Sequence, residues 1–168
     1  MSEIKSLIDK LSQNQNITAK ESERIFQIIM NDGTSPAQTA AILTALICKG
    51  ESDDEILGAV KVMRTKMTKL EAPAEIKSNM IDVCGTGGDK KGTYNISTAV
   101  AFVVAACGVN VAKHGNKAVS SKSGSSDVLT ELGIKIDLTP EQSLQCLEQA
   151  GISFLFAPLY HKAMKNVA

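Results

Sequence analysis

Gly85-Thr86-Gly87-Gly88-Asp89 leads into a stretch, Lys90 to Ser126, that contains no Asp or Glu. Within it stand Lys90, Lys91, Lys113, Lys117 and Lys122, His114 and a series of Ser and Thr hydroxyls. The chain has 18 acidic residues in 168, so a span of this length would ordinarily hold about four. Their absence leaves ammonium groups, hydroxyls and backbone amides, which are the donors that hold an anion, phosphate first among them.

Two loops carry these donors. Gly85 to Asp89 follows a short apolar run, and glycine lets main-chain N–H groups approach an anion closely. Neither common glycine motif fits. A P-loop needs Lys then Ser or Thr after its last glycine, whereas Gly88 is followed by Asp89, Lys90 and Lys91. A dinucleotide fingerprint needs a third glycine where Lys90 stands. The second loop runs from Lys113-His114-Gly115-Asn116-Lys117 through Ser120-Ser121-Lys122-Ser123-Gly124-Ser125. One lysine on a loop is ordinarily a solvated surface group. Two glycine-bearing loops, each after a strand and with Asp89 as their one acid, read as one anion site.

The elements that must place these loops can be traced along the chain. Thr18 with Glu21, Ser35-Pro36-Ala37-Gln38, Ser52 with Glu55, and Thr139-Pro140-Glu141-Gln142 are capping boxes that start helices. Ile56, Val60, Met63 and Met67 form a stripe, expected to pack in the core ahead of a subunit interface. Glu71 to Asn79 reads as a polar connection, and Met80 to Cys84 as a buried parallel strand. Ile96 to Cys107, apolar on nearly every face, is expected as a helix buried on a sheet. Val109 to Ala112 and Ile152 to Ala157 read as strands, Ser126 to Leu132 and Tyr160 to Val167 as helices. The expected class is α/β, an N-terminal helical lobe followed by a mostly parallel sheet lobe. In such sheets ligands sit beyond the carboxyl ends of strands, where helix N-termini converge.

Composition narrows the function classes. Eighteen basic and 18 acidic residues cancel, which removes the broad field that general nucleic-acid or membrane-surface binding needs. No apolar run reaches the roughly 18 residues of a membrane span, and no signal peptide is recognisable, so a cytoplasmic protein is expected. Cys48, Cys84, Cys107 and Cys146 are widely spaced and are expected as free thiols.

The runs Asp82 to Asp89, Thr93-Tyr94-Asn95-Ile96-Ser97-Thr98, Lys113-His114-Gly115-Asn116 and Val119-Ser120-Ser121-Lys122-Ser123-Gly124 closely resemble anthranilate phosphoribosyltransferase. The resemblance covers essentially the whole chain. It implies a nucleoside phosphorylase/phosphoribosyltransferase-like fold, with a helical, dimerising domain over residues 1–72. Residues 73–168 would be the first part of the α/β domain that binds phosphoribosyl pyrophosphate. It implies transfer of the phosphoribosyl group to anthranilate in tryptophan biosynthesis, with magnesium, by a homodimer. Gly85, Gly88, Asp89, Thr93, Asn95, Ile96, Ser97, Thr98, Lys113, His114, Gly115, Asn116, Lys117, Ala118, Val119, Ser120, Ser121 and Ser125 match positions that bind phosphoribosyl pyrophosphate. Ser97 matches a magnesium ligand. Asn116 and Gly85, with His114 as a further candidate, match contacts to anthranilate.

The chain departs from that pattern in places. Lys90-Lys91 stands where a glycine often follows the aspartate, and Lys117 where arginine is common. Family members are about twice as long; their anthranilate-binding arginine and their Asp-Glu magnesium pair fall beyond Ala168. The chain is therefore expected to be the N-terminal part of an enzyme, inactive alone. The alternatives are a pyrimidine nucleoside phosphorylase-like enzyme and a non-catalytic dimerising fragment. No protein nucleophile is required by this chemistry, so Cys84 is expected as a small strand residue.

Overall fold

The computed structural model describes residues 3–85, 94–118 and 123–167. They fall into two compact units, residues 3–67 with 161–167, and residues 68–160.

The first unit holds α1 (Glu3–Ser12), α2 (Ala19–Met30), α3 (Pro36–Lys49) and α4 (Asp53–Lys66), with a 3₁₀ turn at Lys162–Asn166. The local start signals act as the spacing predicts. Thr18 Oγ1 accepts from the Glu21 N–H at 3.3 Å while the Glu21 carboxylate accepts from the Thr18 N–H at 2.7 Å. Ser35 and Gln38 repeat the exchange at 3.3 and 2.9 Å. The core gathers Leu7, Leu11, Ile17, Ile25, Ile29, Ile42 and Leu46, whose burial is the main drive to fold this unit.

The predicted stripe on α4 is not the packed face. Glu55, Gly58 and Val62 are buried, whereas Ile56 and Val60 are 51% and 42% exposed. The cause is Gly58: a Cβ there would lie 2.6 Å from both the Glu23 nitrogen and the Ser22 Cβ. Only a residue without a side chain lets α4 come this near to α2, and that approach turns the large apolar residues outward. Beside it Glu55 is a buried hub. Its carboxylate accepts from the Ile17 N–H at 2.9 Å, the Ser52 N–H at 2.7 Å and Lys49 Nζ at 2.8 Å. Its carbonyl accepts from Ser22 Oγ at 2.6 Å.

The second unit runs α5 (Ala74–Ser78), β1 (Met80–Ile81), α6 (Ile96–Ala106), β2 (Asn110–Gly115), α7 (Ser125–Glu131), α8 (Pro140–Ala150), β3 (Ile152–Phe156) and α9 (Ala157–Tyr160). The strands are parallel in the order β1-β2-β3, with Met80 opposite Asn110, Val111 opposite Ile152 and Lys113 opposite Phe154. Thr139 caps α8 through the Gln142 N–H at 3.2 Å, and Gly151 closes it in the left-handed region at φ 67°.

Several expectations shift. The polar connection contains the short α5. β1 ends at Ile81 because the next residue, Asp82, turns its carboxylate onto the Cys84 N–H at 3.0 Å and the His114 N–H at 3.2 Å, in place of ladder bonds. β2 continues to Gly115, so Lys113 and His114 are strand residues rather than loop residues. In α6 only Thr98 and Ala101 are buried, and Ile96, Val100, Phe102 and Val103 stay exposed, because the described strands meet the helix along one line. The helix expected over 160–167 is broken at His161, and Asn166 Nδ2 donates to the Met30 carbonyl at 3.2 Å. All four cysteines are free. Among the described residues no helix is long and apolar enough to cross a membrane.

Glu55→Gln should cost about 3 kcal/mol or more in urea unfolding although the shape is kept, since the new amide NH₂ must face one of the donors that the carboxylate now satisfies. Burial opposes ionisation of Glu55, but Lys49 and the Ser52 and Ile17 amides outweigh it and hold its carboxyl below the usual range. The folded state therefore binds this proton more weakly than the unfolded chain. The stabilisation is full above the ordinary glutamate range and is lost as pH falls through the lower folded value. Glu55→Gln should flatten that acid limb of the stability profile.

Candidate functional site

Lys113 sits in the middle of the sheet and is only 3% exposed. It lines a cavity of about 140 Å³ walled mainly by apolar side chains such as Ala101, Phe102, Leu129, Ile134 and Phe154. That cavity is a hydrocarbon space, unsuited to an anion. The ammonium end has a different neighbourhood: Nζ lies 3.3 Å from the Val83 carbonyl, 3.5 Å from Ser97 Oγ and 3.5 Å from the His114 carbonyl. These acceptors are neutral, and the distances are at the long end of hydrogen bonding. Burial pulls the Lys113 pKa down, with the Asp82 carboxylate and Cys84 acting against it. A cation is held out of water here, and among the described residues no carboxylate is bonded to it.

The start of α6 closes on the same point. Ser97 Oγ is the hydroxyl beside Lys113, and a Cβ on Gly85 would sit 3.8 Å from it, so the first glycine turn begins against the helix. Asn95, the residue ahead of α6, donates from Nδ2 to the Gly124 carbonyl at 2.9 Å. The entry of the first loop's helix is thereby tied to the end of the second loop. Thr98 is buried and lines the apolar cavity, while Ile96 is exposed.

The second loop is pinned at both ends. The Asn116 carbonyl accepts from the Ser126 N–H at 3.4 Å and from Ser125 Oγ at 3.5 Å, and its own side chain accepts from the Lys117 N–H at 2.8 Å. Asp127 Oδ2 takes the Ala118 N–H at 3.1 Å and the Gly124 N–H at 2.7 Å, clasping the two sides. Those two backbone bonds hold the Asp127 carboxyl below its usual range. Glycine is required at two places in this clasp. A Cβ on Gly124 would lie 2.6 Å from the Lys117 carbonyl carbon, and one on Gly115 would lie 2.5 Å from the Phe154 ring and overlap Ser125 Oγ.

On the opposite side of the first loop Asp82 grips His114. Its Oδ1 accepts from the His114 backbone N–H at 3.2 Å and its Oδ2 lies 3.0 Å from Nδ1. Desolvation and then this carboxylate push the Cys84 thiol up, away from a nucleophilic thiolate.

The structure thus gathers Gly85, Asn95, Ser97, Lys113, His114, Asn116, Ala118 and Ser125 near the carboxyl ends of β1 and β2, Lys113 bonding Ser97 and His114, and Asn95, Asn116, Ala118 and Ser125 tied in around Gly124 and Asp127. Lys117 is exposed beside it. Gly88, Asp89, Thr93, Val119, Ser120 and Ser121 lie outside the described residues. Two residues that shape the site were not singled out from the sequence, Asp82 and Asp127, the acids that stand just before and just after the two loops. A signal for the second existed: Asp127 falls three residues after Gly124, the spacing of a helix cap. Among the described residues no group of three His, Cys, Asp or Glu side chains can hold a metal ion.

Comparison with known proteins gives a consistent result. The helical bundle domain of the glycosyl transferase family matches residues 5–67, and its a/b domain matches residues 77–168. Anthranilate phosphoribosyltransferase of Persephonella marina is 49% identical over 98% of this chain, and that of Rhodopseudomonas palustris (strain ATCC BAA-98 / CGA009) is 50% identical over 99%. Both matches take in 48% of the relative, so the chain spans about half the length of the curated relatives it matches. The crystal structure of anthranilate phosphoribosyltransferase from Thermus thermophilus superposes with a TM-score of 0.85 at 38% identity, over 96% of this chain and 48% of that one. The Saccharomyces cerevisiae enzyme in complex with PRPP and Mg superposes at 0.84 with 24% identity, over 98% of this chain and 49% of that one, a likeness of fold.

Lys113→Met separates structure from binding at this site. Exchanging a buried cation that no described carboxylate hydrogen-bonds for an apolar side chain of similar length should leave the melting temperature unchanged or raise it. Calorimetric affinity for inorganic pyrophosphate should fall by about 1.5–3 kcal/mol, the value of a charge-assisted bond. A lower melting temperature with unaltered pyrophosphate binding would make Lys113 a structural residue only.

Proposed function

The chain belongs to the glycosyl transferase family that joins a helical bundle domain to an a/b domain, and from that premise we propose that it forms the first half of an anthranilate phosphoribosyltransferase. The reaction is transfer of the phosphoribosyl group from 5-phosphoribosyl 1-pyrophosphate to anthranilate, giving N-(5-phosphoribosyl)anthranilate and pyrophosphate. The observation that carries this reading is Lys113, a buried ammonium whose hydrogen-bond acceptors among the described residues are all neutral, beside the α6 N-terminus and the start of the glycine turn.

Breaking the bond from the anomeric carbon to pyrophosphate builds negative charge on the departing oxygens and positive charge on the sugar ring. The protein has to neutralise the first and hold the amine in line with the second. Lys113 supplies the charge, and because it is already desolvated it needs no reorganisation when the charge develops. The α6 N-terminus adds its positive dipole end through the turn at Asn95 to Thr98. Asn116 and Gly85 would contact anthranilate, and Gly88, Asp89, Thr93 and Val119 to Ser121, which lie outside the described residues, are proposed for the diphosphate and ribose. The aromatic amine is a weak base and is uncharged near neutral pH, so it attacks without prior deprotonation.

The donor set present fits magnesium in one form. Ser97 offers a single neutral oxygen, with the Lys113 ammonium 3.5 Å away, which suits an ion carried in on the diphosphate with water in its other positions and not an ion held by protein alone. Bound there, magnesium would neutralise leaving-group charge. The helical unit would form the homodimer. Ile47, Ile56, Leu57 and Val60 support this, being large apolar side chains left exposed on α3 and α4. The enzyme would work in the cytoplasm.

The test is loss of anthranilate fluorescence with phosphoribosyl pyrophosphate and magnesium, for this chain and for a form extended by the downstream half of the Persephonella marina relative. Turnover is expected only in the extended form. A folded extended protein that is inert toward anthranilate yet cleaves nucleosides with inorganic phosphate would move the assignment to a nucleoside phosphorylase.

A further inference from the structure

The cavity beside Lys113 has no part in the chemistry above, yet its walls are built. Thr98, Ala101 and Phe102 stand three and four residues apart and so share one face of α6. Lys113 and Phe154 are opposite each other on β2 and β3, and Leu129 closes the space from α7. Thr98, Ala101, Lys113 and Leu129 are buried and form the inner end, whereas Ile134 and Lys135 at the rim are exposed. The rim is tied to α7: Gly133 turns in the left-handed region at φ 76°, and the Ile134 N–H donates to the Leu129 carbonyl at 2.9 Å. Packing ordinarily closes a space of this kind. The volume is about 140 Å³, close to the roughly 150 Å³ at which an apolar cavity stays dry and takes up benzene. One aromatic ring is the size that fits. A second observation narrows the class. Thr98 Oγ1 is buried and has no hydrogen-bond partner among the described residues, a cost that a ligand hydroxyl would relieve. A charged ring suits the space less, because a carboxylate inside would lose its water, and Lys135 is too exposed to repay much of that loss.

We propose that this cavity is a binding site for a neutral phenol, with its ring against Ala101, Leu129 and Phe154 and its hydroxyl on Thr98 Oγ1. The site is distinct from the one for diphosphate. Lys113 borders both, but an anion would meet its ammonium end, beside Ser97 and the Val83 carbonyl, and not the hydrocarbon space. The phenol site does not depend on the reaction assigned above.

Phenol, toluene and benzoate are titrated into the whole chain and into the extended form, and nuclear Overhauser contacts are read from ring protons to the methyl groups of Leu129 and Ile134. Phenol and toluene are expected to give these contacts in both proteins and benzoate to give none, and inorganic pyrophosphate should leave them in place. Ala101→Leu, which fills the inner end, should abolish them. Ile134→Phe plugs the exposed rim and should do the same where the first variant fails to fold. Thr98→Val removes the hydroxyl at nearly constant shape; it should weaken phenol about fivefold and leave toluene within about twofold, without lowering the melting temperature. Absence of the contacts, their loss in the extended form, displacement by pyrophosphate, or binding that survives a folded filling variant overturns the proposal. So does benzoate bound more tightly than phenol, or a Thr98→Val variant that treats phenol and toluene alike.

Discussion

A lysine ammonium buried at the carboxyl edge of a parallel sheet, hydrogen-bonded among the described residues to neutral oxygens alone, is the constraint from which the rest of the α/β unit follows. Taking a cation out of water is costly unless an opposite charge meets it, and here none of the described carboxylates does so by hydrogen bond. On the proposed reading, an anion arriving at such a side chain would regain the cost of its burial as affinity. The absence of acids from Lys90 to Ser126 is the sequence expression of the same need, since any nearby free carboxylate would quench the charge the ligand is meant to meet.

The two acids that border the loops do not break this rule, because their charge is already spent. Asp82 is occupied by the Cys84 N–H and by the backbone and ring of His114; Asp127 is occupied by the Ala118 and Gly124 N–H groups. Each carboxylate works as a clip that fixes loop backbone. Rigid ends matter because amides bind an anion strongly only when they are held pointing at it before it arrives. Gly115 and Gly124 serve the same end from the other direction, since a side chain at either would push apart the segments the clips draw together.

What was legible in the sequence was the local part. Caps at Thr18, Ser35 and Thr139 depend on a residue three places on, so their spacing alone gives the helix starts. The strand that leads into Lys113 and His114 and the helix that begins at Ile96 were visible for the same reason. What was hidden depends on distant partners. The packed side of α4 is decided by Gly58 against α2, and hydrophobic periodicity points to the other side. β2 runs on through Lys113 to Gly115 because β3, far along the chain, pairs with each of them. The Asp82 grip on His114 joins residues 32 positions apart. A charge census limited to the acid-free window could not find it, since Asp82 stands outside that window.

Among the described residues Lys49 and Lys113 are buried in opposite ways, and the contrast argues for the site more strongly than either does alone. Lys49 meets the Glu55 carboxylate at 2.8 Å, with the Asn16 side chain and the Gly50 carbonyl at 2.9 and 2.7 Å, so its charge and its donors are satisfied. Such a pair holds helices in place and offers nothing to a ligand. Lys113 is as deeply buried, yet its contacts are longer, neutral and fewer in kind. If burial of Lys113 served the fold, the Lys49 solution was available, since one acid in place of Ser97 would bring a carboxylate to the ammonium. A hydroxyl at that point leaves the cation open to charge from outside. Packing alone gives no reason to keep a lysine under those conditions, whereas capture of a diphosphate does.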